Sequence, residues 1–246
     1  MTSEASQSNI RWLPGILSVG AEALGVSLPP KAVKAFETYH HFLEEQGNKY
    51  NLTAITGEAD VGRLHFLDCI ALLTIHDFRG ASLIDVGSGA GFPGVPLKIA
   101  EPSIELTLLD SSGKKAAFLS QLCRLLDISA SCTERRAEAA ARMPEFREQY
   151  DVAVSRAVAR LSVLCELCLP FVHLGGMFIA MKGANSADEV AEAQSAMTAL
   201  GAELHDCINY IIPGTDVSRC AVLIRKTSTI AEKYPRRFSK IKNSPL

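Results

Sequence analysis

The chain has 246 residues, which suits one medium α/β domain with a helical extension, or two small domains, and excludes a disulfide-stapled miniprotein. Hydrophobic residues make up 48% and charged residues 21%, far from the composition of a disordered chain. With 25 Lys plus Arg against 27 Asp plus Glu, the formal charge of -2 gives no overall field for gripping a polyanion, so any nucleic-acid contact must be local.

The opening MTSEASQSNI is polar and lacks a basic segment, and Trp12 to Val26 is broken by Pro14, Gly15, Gly20 and Gly25, so neither a signal peptide nor a membrane span is expected. From Pro30 to Gln46 the apolar Val33, Phe36, Tyr39, Phe42 and Leu43 recur at helical spacing, and Asp60 to His76 repeats the pattern. Between them lies the polar, turn-rich NKYNLTAITG. Residues 1–80 therefore form an expected helical cap.

After Gly80 the pattern changes to short apolar runs alternating with helical stretches: SLIDV, IELTLLD, ISASCT, DVAVS, MFIAMK, INYII and AVLIRK. This alternation predicts βαβ units and a doubly wound, Rossmann-like α/β fold with a mostly parallel seven-stranded sheet over residues 81–232. Helices are expected over Pro96 to Ala100, Lys114 to Leu126, Ala137 to Arg147, Leu161 to Phe171 and Asp188 to Leu200. The last two strands, joined by PGTDVS, predict an antiparallel hairpin at the sheet edge. Residues 233–246 make a basic tail with Lys233, Arg236, Arg237, Lys240, Lys242 and no acid. Its Pro235 and Pro245 argue against a helix, leaving a solubilising end or a phosphate-binding arm.

The seven cysteines are scattered as small apolar fillers, the pattern of a reduced, cytosolic chain, and Cys165 with Cys168 lacks the partners that would complete a zinc site. No metal is expected. Five of the histidines, His40, His41, His76, His173 and His205, show no ligand spacing and receive no role.

The strongest local signal is Asp85-Val86-Gly87-Ser88-Gly89-Ala90-Gly91-Phe92-Pro93-Gly94, directly after the first strand. Its glycines, Gly87 and Gly89 foremost, allow a sharp turn and close approach of a ligand to main-chain amides, which points to a nucleotide-like molecule. Gly89, Gly91 and Gly94 also satisfy G-x-G-x-x-G, and Asp110 follows Gly89 by 21 residues, so an NAD-dependent oxidoreductase is the competing reading. Counted from Gly87, however, the sixth position is Phe92. A carboxylate at Asp85 would repel a pyrophosphate and attract a sulfonium, which favours S-adenosylmethionine. Asp110, ending the second strand, is placed to accept ribose hydroxyls or to cap the helix that follows.

With NKYNLTAI, LHFLDCI, LIDVGSGAGFPGVPLKI, LTLLDSSGKKAAFL, RAE, VSRAVA, MKG and PRRFSKIKNSPL in this order, the chain resembles the RsmG (GidB) guanine-N7 methyltransferases of bacterial small-subunit ribosomal RNA. The resemblance implies a class I S-adenosylmethionine-dependent methyltransferase fold acting on 16S rRNA within the small subunit or its assembly intermediate, in the cytoplasm and as a monomer. It assigns Gly87, Phe92, Ala137, Glu138 and Arg156 to the cofactor pocket. Two departures, Leu64 where the family often has Arg and Cys69 where it often has Ser, leave that pocket untouched.

Guanine N7 presents an unprotonated lone pair, so attack on the sulfonium methyl needs no general base and no catalytic dyad is expected, only positioning. Candidates for that task are Asn51, His65 and Arg156, with Thr53 and Asp68 nearby in the chain. Arg156 is expected to reach a methionyl carboxylate or an RNA phosphate, or else to form a salt bridge beneath the loop. Lys182 either meets phosphate or caps its strand. RNA contacts are expected from Arg63, Lys182, Arg236, Arg237 and Lys240. A noncatalytic RNA-binding assembly factor is the remaining alternative.

Overall fold

The computed structural model describes residues 12–50 and 52–246. Helices α1 (Leu13–Ala23) and α2 (Pro30–Tyr50) come first, followed by one winding run. That run comprises α3 (Glu58–Val61), a π-helical turn (Gly62–Leu67), α4 (Asp68–Ile70) and a 3-10 turn (Ala71–Thr74). Pro14 sits harmlessly in the first turn of α1, where its missing N–H has no partner to lose. Gly20 is needed farther along, since a Cβ there would lie 2.2 Å from Leu67 Cδ1. Among the described residues no helix is long and apolar enough to cross a membrane.

The rest alternates strand and helix: β1 (Ser82–Val86), α5 (Gly94–Ala100), β2 (Glu105–Asp110), α6 (Gly113–Leu125), β3 (Ala130–Glu134), α7 (Ala137–Ala140) and β4 (Tyr150–Arg156). After these come α8 (Leu161–Cys168), β5 (Val172–Gly183), α9 (Ala187–Glu192), α10 (Gln194–Ala199), β6 (Ala202–Ile211), β7 (Ser218–Lys226) and α11 (Phe238–Asn243). The seven strands form one sheet in the order β3-β2-β1-β4-β5-β7-β6. Strands β3 to β5 pair in parallel, and β7 runs antiparallel to both β5 and β6. The expected hairpin does close the sheet, with β7 one place in from the edge and β6 outermost.

Successive strand residues point to opposite faces, and both faces are buried. Leu83, Leu108 and Val154 join one apolar cluster, which also takes Phe36 and Tyr39 of α2 and Phe66 of the π turn. Ile84, Leu109 and Ala153 join the other, with α8, Tyr234 and Ile241. The N-terminal helices thus share a core with one face of the sheet, and the C-terminal segment shares a core with the opposite face.

Three expected segments differ. The helix predicted over Ala137 to Arg147 stops at Ala140, because Pro144 has no N–H to continue the ladder and its ring clashes with the preceding turn. The helix predicted over Asp188 to Leu200 is two helices broken at Ala193. The tail, where no helix was expected, forms α11 in the interval between Pro235 and Pro245, neither of which lies inside it. It is strapped down by arginines that donate to carbonyls: Arg142 to Lys233 at 3.2 Å, and Arg147 to Tyr234 at 3.0 Å and Ile230 at 2.9 Å.

Candidate functional site

The turn after β1 is knitted by its own backbone. Gly87 N–H donates to Leu109 O at 2.8 Å and Gly91 N–H to Ser88 O at 2.7 Å. Ser88, which the sequence analysis passed over, is buried; its hydroxyl donates to Asp85 O at 2.8 Å and accepts from Leu109 N–H at 3.1 Å. Gly87 (φ 78°), Gly89 (φ 59°) and Gly91 (φ 102°) occupy the left-handed region that favours glycine. A Cβ on Gly91 would meet Tyr39 Oη at 2.7 Å and Val95 Cγ2 at 2.9 Å, so this position demands glycine twice over.

Above the turn, at the carboxyl ends of β1, β2 and β4, lies a cavity of about 540 Å³. It brings together Gly87, Gly89, Phe92, Asp110, Ala137 and Glu138, along with His65 and Arg156. Phe238 of α11 closes one side, with the Arg136 guanidinium 5.7 Å from its ring centre. Both Asp110 oxygens accept backbone N–H groups, Oδ2 from Gly89 at 2.9 Å and Oδ1 from Ser112 at 2.9 Å. The carboxylate therefore shapes the turn and starts α6 while still lining the cavity; each oxygen keeps a second lone pair.

Asp85 departs from its expected role. It is fully buried beneath the turn and does not line the cavity. Its Oδ2 accepts Gly94 N–H at 2.8 Å, and Oδ1 has no hydrogen-bond partner. Burial lifts its carboxyl to about 7, opposed by the Gly94 hydrogen bond and by Arg156. Lying under the turn, with its charged form disfavoured by burial, Asp85 does not present a charge to the cavity; the acids that face it are Asp110 and Glu138.

Arg156 takes the salt-bridge alternative while still lining the cavity. Its guanidinium turns into the protein: Nη1 donates to Asp68 Oδ2 at 3.1 Å and Nη2 lies 3.0 Å from His65 Nδ1, with the Phe92 ring centre 4.8 Å away. A desolvated cation needs a counter-charge, and buried Asp68 supplies it. His65 Nδ1 also lies 3.2 Å from Leu64 O, to which it could only donate; because Arg156 can only donate and stands closer, we assign Nδ1 as the acceptor and the imidazole proton to Nε2, 2.8 Å from Thr53 Oγ1. The ring stacks on Phe92 at 4.4 Å. Burial, then Arg156, push the His65 pKa down to about 3, so it is neutral and both nitrogens are engaged. Asp68 also accepts Tyr210 Oη–H at 2.9 Å through Oδ1. The sequence signal for this network was thin, because its members come from separate segments.

The expected RNA contacts divide. Arg237 and Lys240 are exposed on and beside α11. Arg236 instead forms a bidentate pair with fully buried Glu166, Nη2 to Oε2 at 2.6 Å and Nε to Oε1 at 2.9 Å. Lys182 caps its strand end, donating to Glu189 Oε2 at 2.6 Å and Ala159 O at 2.8 Å. Arg63 lies against the Gly214 turn, and Asn51 falls outside the described residues. Cys165 and Cys168 are buried in α8 and pack its core. On α2, His40, His41 and Glu44 bring three ligand atoms within 4.8 Å, a grouping the sequence analysis did not pick out.

The profile of the family described as rRNA small subunit methyltransferase G (GidB) matches residues 32–210. The chain belongs to this family. It is 41% identical to the Ribosomal RNA small subunit methyltransferase G of Acetivibrio thermocellus, over 94% of this chain and 96% of that one. To the protein of the same name in Pelotomaculum thermopropionicum it is 43% identical, over 92% and 96%. A methyltransferase from Pyrococcus furiosus shares the fold, with a TM-score of 0.55 at 10% identity over 79% of this chain and 99% of that one. The protein is an rRNA methyltransferase of class I fold with S-adenosylmethionine as methyl donor, which sets aside both the oxidoreductase and the noncatalytic alternative. The cavity fits such a donor: Gly87 and Gly89 leave turn backbone bare on its wall, and its volume lies in the range of small-ligand sites.

Proposed function

We propose that the cavity over the glycine turn seats S-adenosylmethionine and that the acceptor is guanine N7 of 16S rRNA, presented in the small subunit or its assembly intermediate. Asp110 is placed to accept ribose hydroxyls, Ala137 and Glu138 to border the adenine, and Gly87 and Gly89 to let the cofactor lie against backbone. The bound cofactor supplies a methyl group made electrophilic by its sulfonium. The chain supplies alignment, worth up to roughly 7–11 kcal/mol in well-oriented reactions.

The observation that carries this reading is His65, the imidazole beside the cavity, held neutral with both nitrogens committed to Thr53 and Arg156. A site shaped for an acceptor without a proton has no need of a general base, and N7 is such an acceptor. Arg237 and Lys240 lie beside Phe238, where they would meet RNA phosphates at the cavity mouth. We place the enzyme in the cytoplasm as a monomer. The test is transfer from labelled cofactor to small subunits lacking the modification, followed by digestion to nucleosides. Label in 7-methylguanosine supports the reading; label in any other nucleoside, or none in RNA, overturns it.

A further inference from the structure

A second cavity, of about 360 Å³, opens beside the first, and His65, Arg156 and Ala157 line both. A ligand in one would lie against a ligand in the other across that partition. The second cavity sits at the carboxyl ends of β4 and β5 and at the start of β7, where Gly183 pairs with Arg219. Ile55, Leu64 and Met181 give it apolar walls. Apolar walls with a few convergent polar groups are what an unstacked nucleobase requires.

Three cations line it, and they differ in what they already hold. Arg156 is 14% exposed and committed to Asp68 and His65; Lys182 is 11% exposed and committed to Glu189 and Ala159 O. Arg219 is 31% exposed, and its ion-pair partner Asp68 stands 3.7 Å from its Nε, beyond hydrogen-bond reach. The Asp68 oxygen facing it already accepts from Tyr210. Asp68 balances Arg156 and Glu189 balances Lys182, so Arg219 carries the surplus positive charge at this cavity.

We propose that the second cavity receives the acceptor nucleotide of the RNA, and that Arg219 holds a phosphate flanking the target base. The inference rests on the reading of the first cavity as the donor's seat, because an acceptor must adjoin its donor. Arg219 fits the task chemically, since its planar fork matches phosphate oxygens and its one carboxylate, Asp68 at 3.7 Å, is shared with Arg156. Spacing did not single it out in the sequence: it sits on a strand, away from the basic tail. Lys182 and Arg156 then act as walls of the cavity.

The test compares Arg219→Gln and Arg219→Lys with the parent as full chains, using small ribosomal subunits that lack the modification. Arg219→Gln is expected to raise KM for subunits about ten-fold, the worth of one charge-assisted hydrogen bond. It is also expected to lower the slope of log affinity against log salt by about one. Its dissociation constant for S-adenosylmethionine, measured by calorimetry, and its melting midpoint should match the parent's. Arg219→Lys should recover most of the lost affinity for subunits. Parental KM in Arg219→Gln, no recovery by Lys, or a parallel loss of cofactor affinity would overturn the inference. A parent that makes no 7-methylguanosine would instead sink the underlying reading.

Discussion

The glycine turn of residues 87–92 and the cluster of His65, Asp68 and Arg156 meet at Phe92, yet they are built from different material. The turn is backbone held mostly by backbone and two buried carboxylates, drawn from one short stretch and the adjoining end of β2, with one long-range tie: Tyr39 Oη–H of α2 donates to Ala90 O. The cluster is side chain held by side chain, drawn from the π-helical turn, α4, the end of β4 and the hairpin. A backbone wall tolerates chemical change around it and rejects a single extra carbon. A buried charged cluster fails when one charge is lost.

The largest effect is expected from the cluster. Arg156→Met leaves buried Asp68 with only the looser Arg219, 3.7 Å away, as counter-charge and should cost up to about 3–5 kcal/mol in urea unfolding. Adding Asp68→Asn to Arg156→Met should recover part of that loss, and a double variant no better than the single one would show that the pair is not coupled. On the turn side, Gly91→Ala should cost about 1–3 kcal/mol from backbone strain alone, more if Tyr39 and Val95 cannot yield, with a matching fall in cofactor affinity by calorimetry.

A smaller, pH-dependent effect belongs to Asp85. Its carboxyl stands at about 7 in the fold, against about 4 in an unfolded chain. Between those values the unfolded state has released its proton and the native state keeps it, so native protein binds more protons and stability falls as pH rises from 4 to 7, then levels off. Asp85→Asn keeps an acceptor for Gly94 N–H and should remove this component. Relative to the parent, the variant gains stability across pH 4 to 7 and holds the gain above. Urea midpoints that track the parent at every pH would show that Asp85 is not a buried acid. The smallest effect is expected at the surface: Arg237→Glu should weaken binding to the small subunit a few-fold by filter binding, with no change in melting. Arg236→Glu should instead destabilise the fold, because it sets a second carboxylate against buried Glu166.

Much of the turn side was legible because its determinants are local. The strand SLIDV matches β1 residue for residue, and the glycine run announces the ligand crevice at its end. All seven strands follow from apolar runs and turn residues. The cluster side was legible only as pieces, since nothing in the spacing of Arg156 and Tyr210 tells that Asp68 joins them, or that Arg156 reaches on to His65. Asp85 was misjudged for a related reason: position at a strand end does not reveal whether a side chain points into the crevice or under it. The tail was misjudged because its prolines were weighed without its apolar anchors, Tyr234 and Ile241, and the buried Glu166 that waits for Arg236 is seventy positions away.

Whether the turn's cavity takes a sulfonium donor is decided most directly by titrating the full chain with S-adenosylmethionine and with NAD in a calorimeter. The structure predicts saturable one-to-one binding of the first and no heat of binding from the second. Uptake of NAD with no response to S-adenosylmethionine would contradict it.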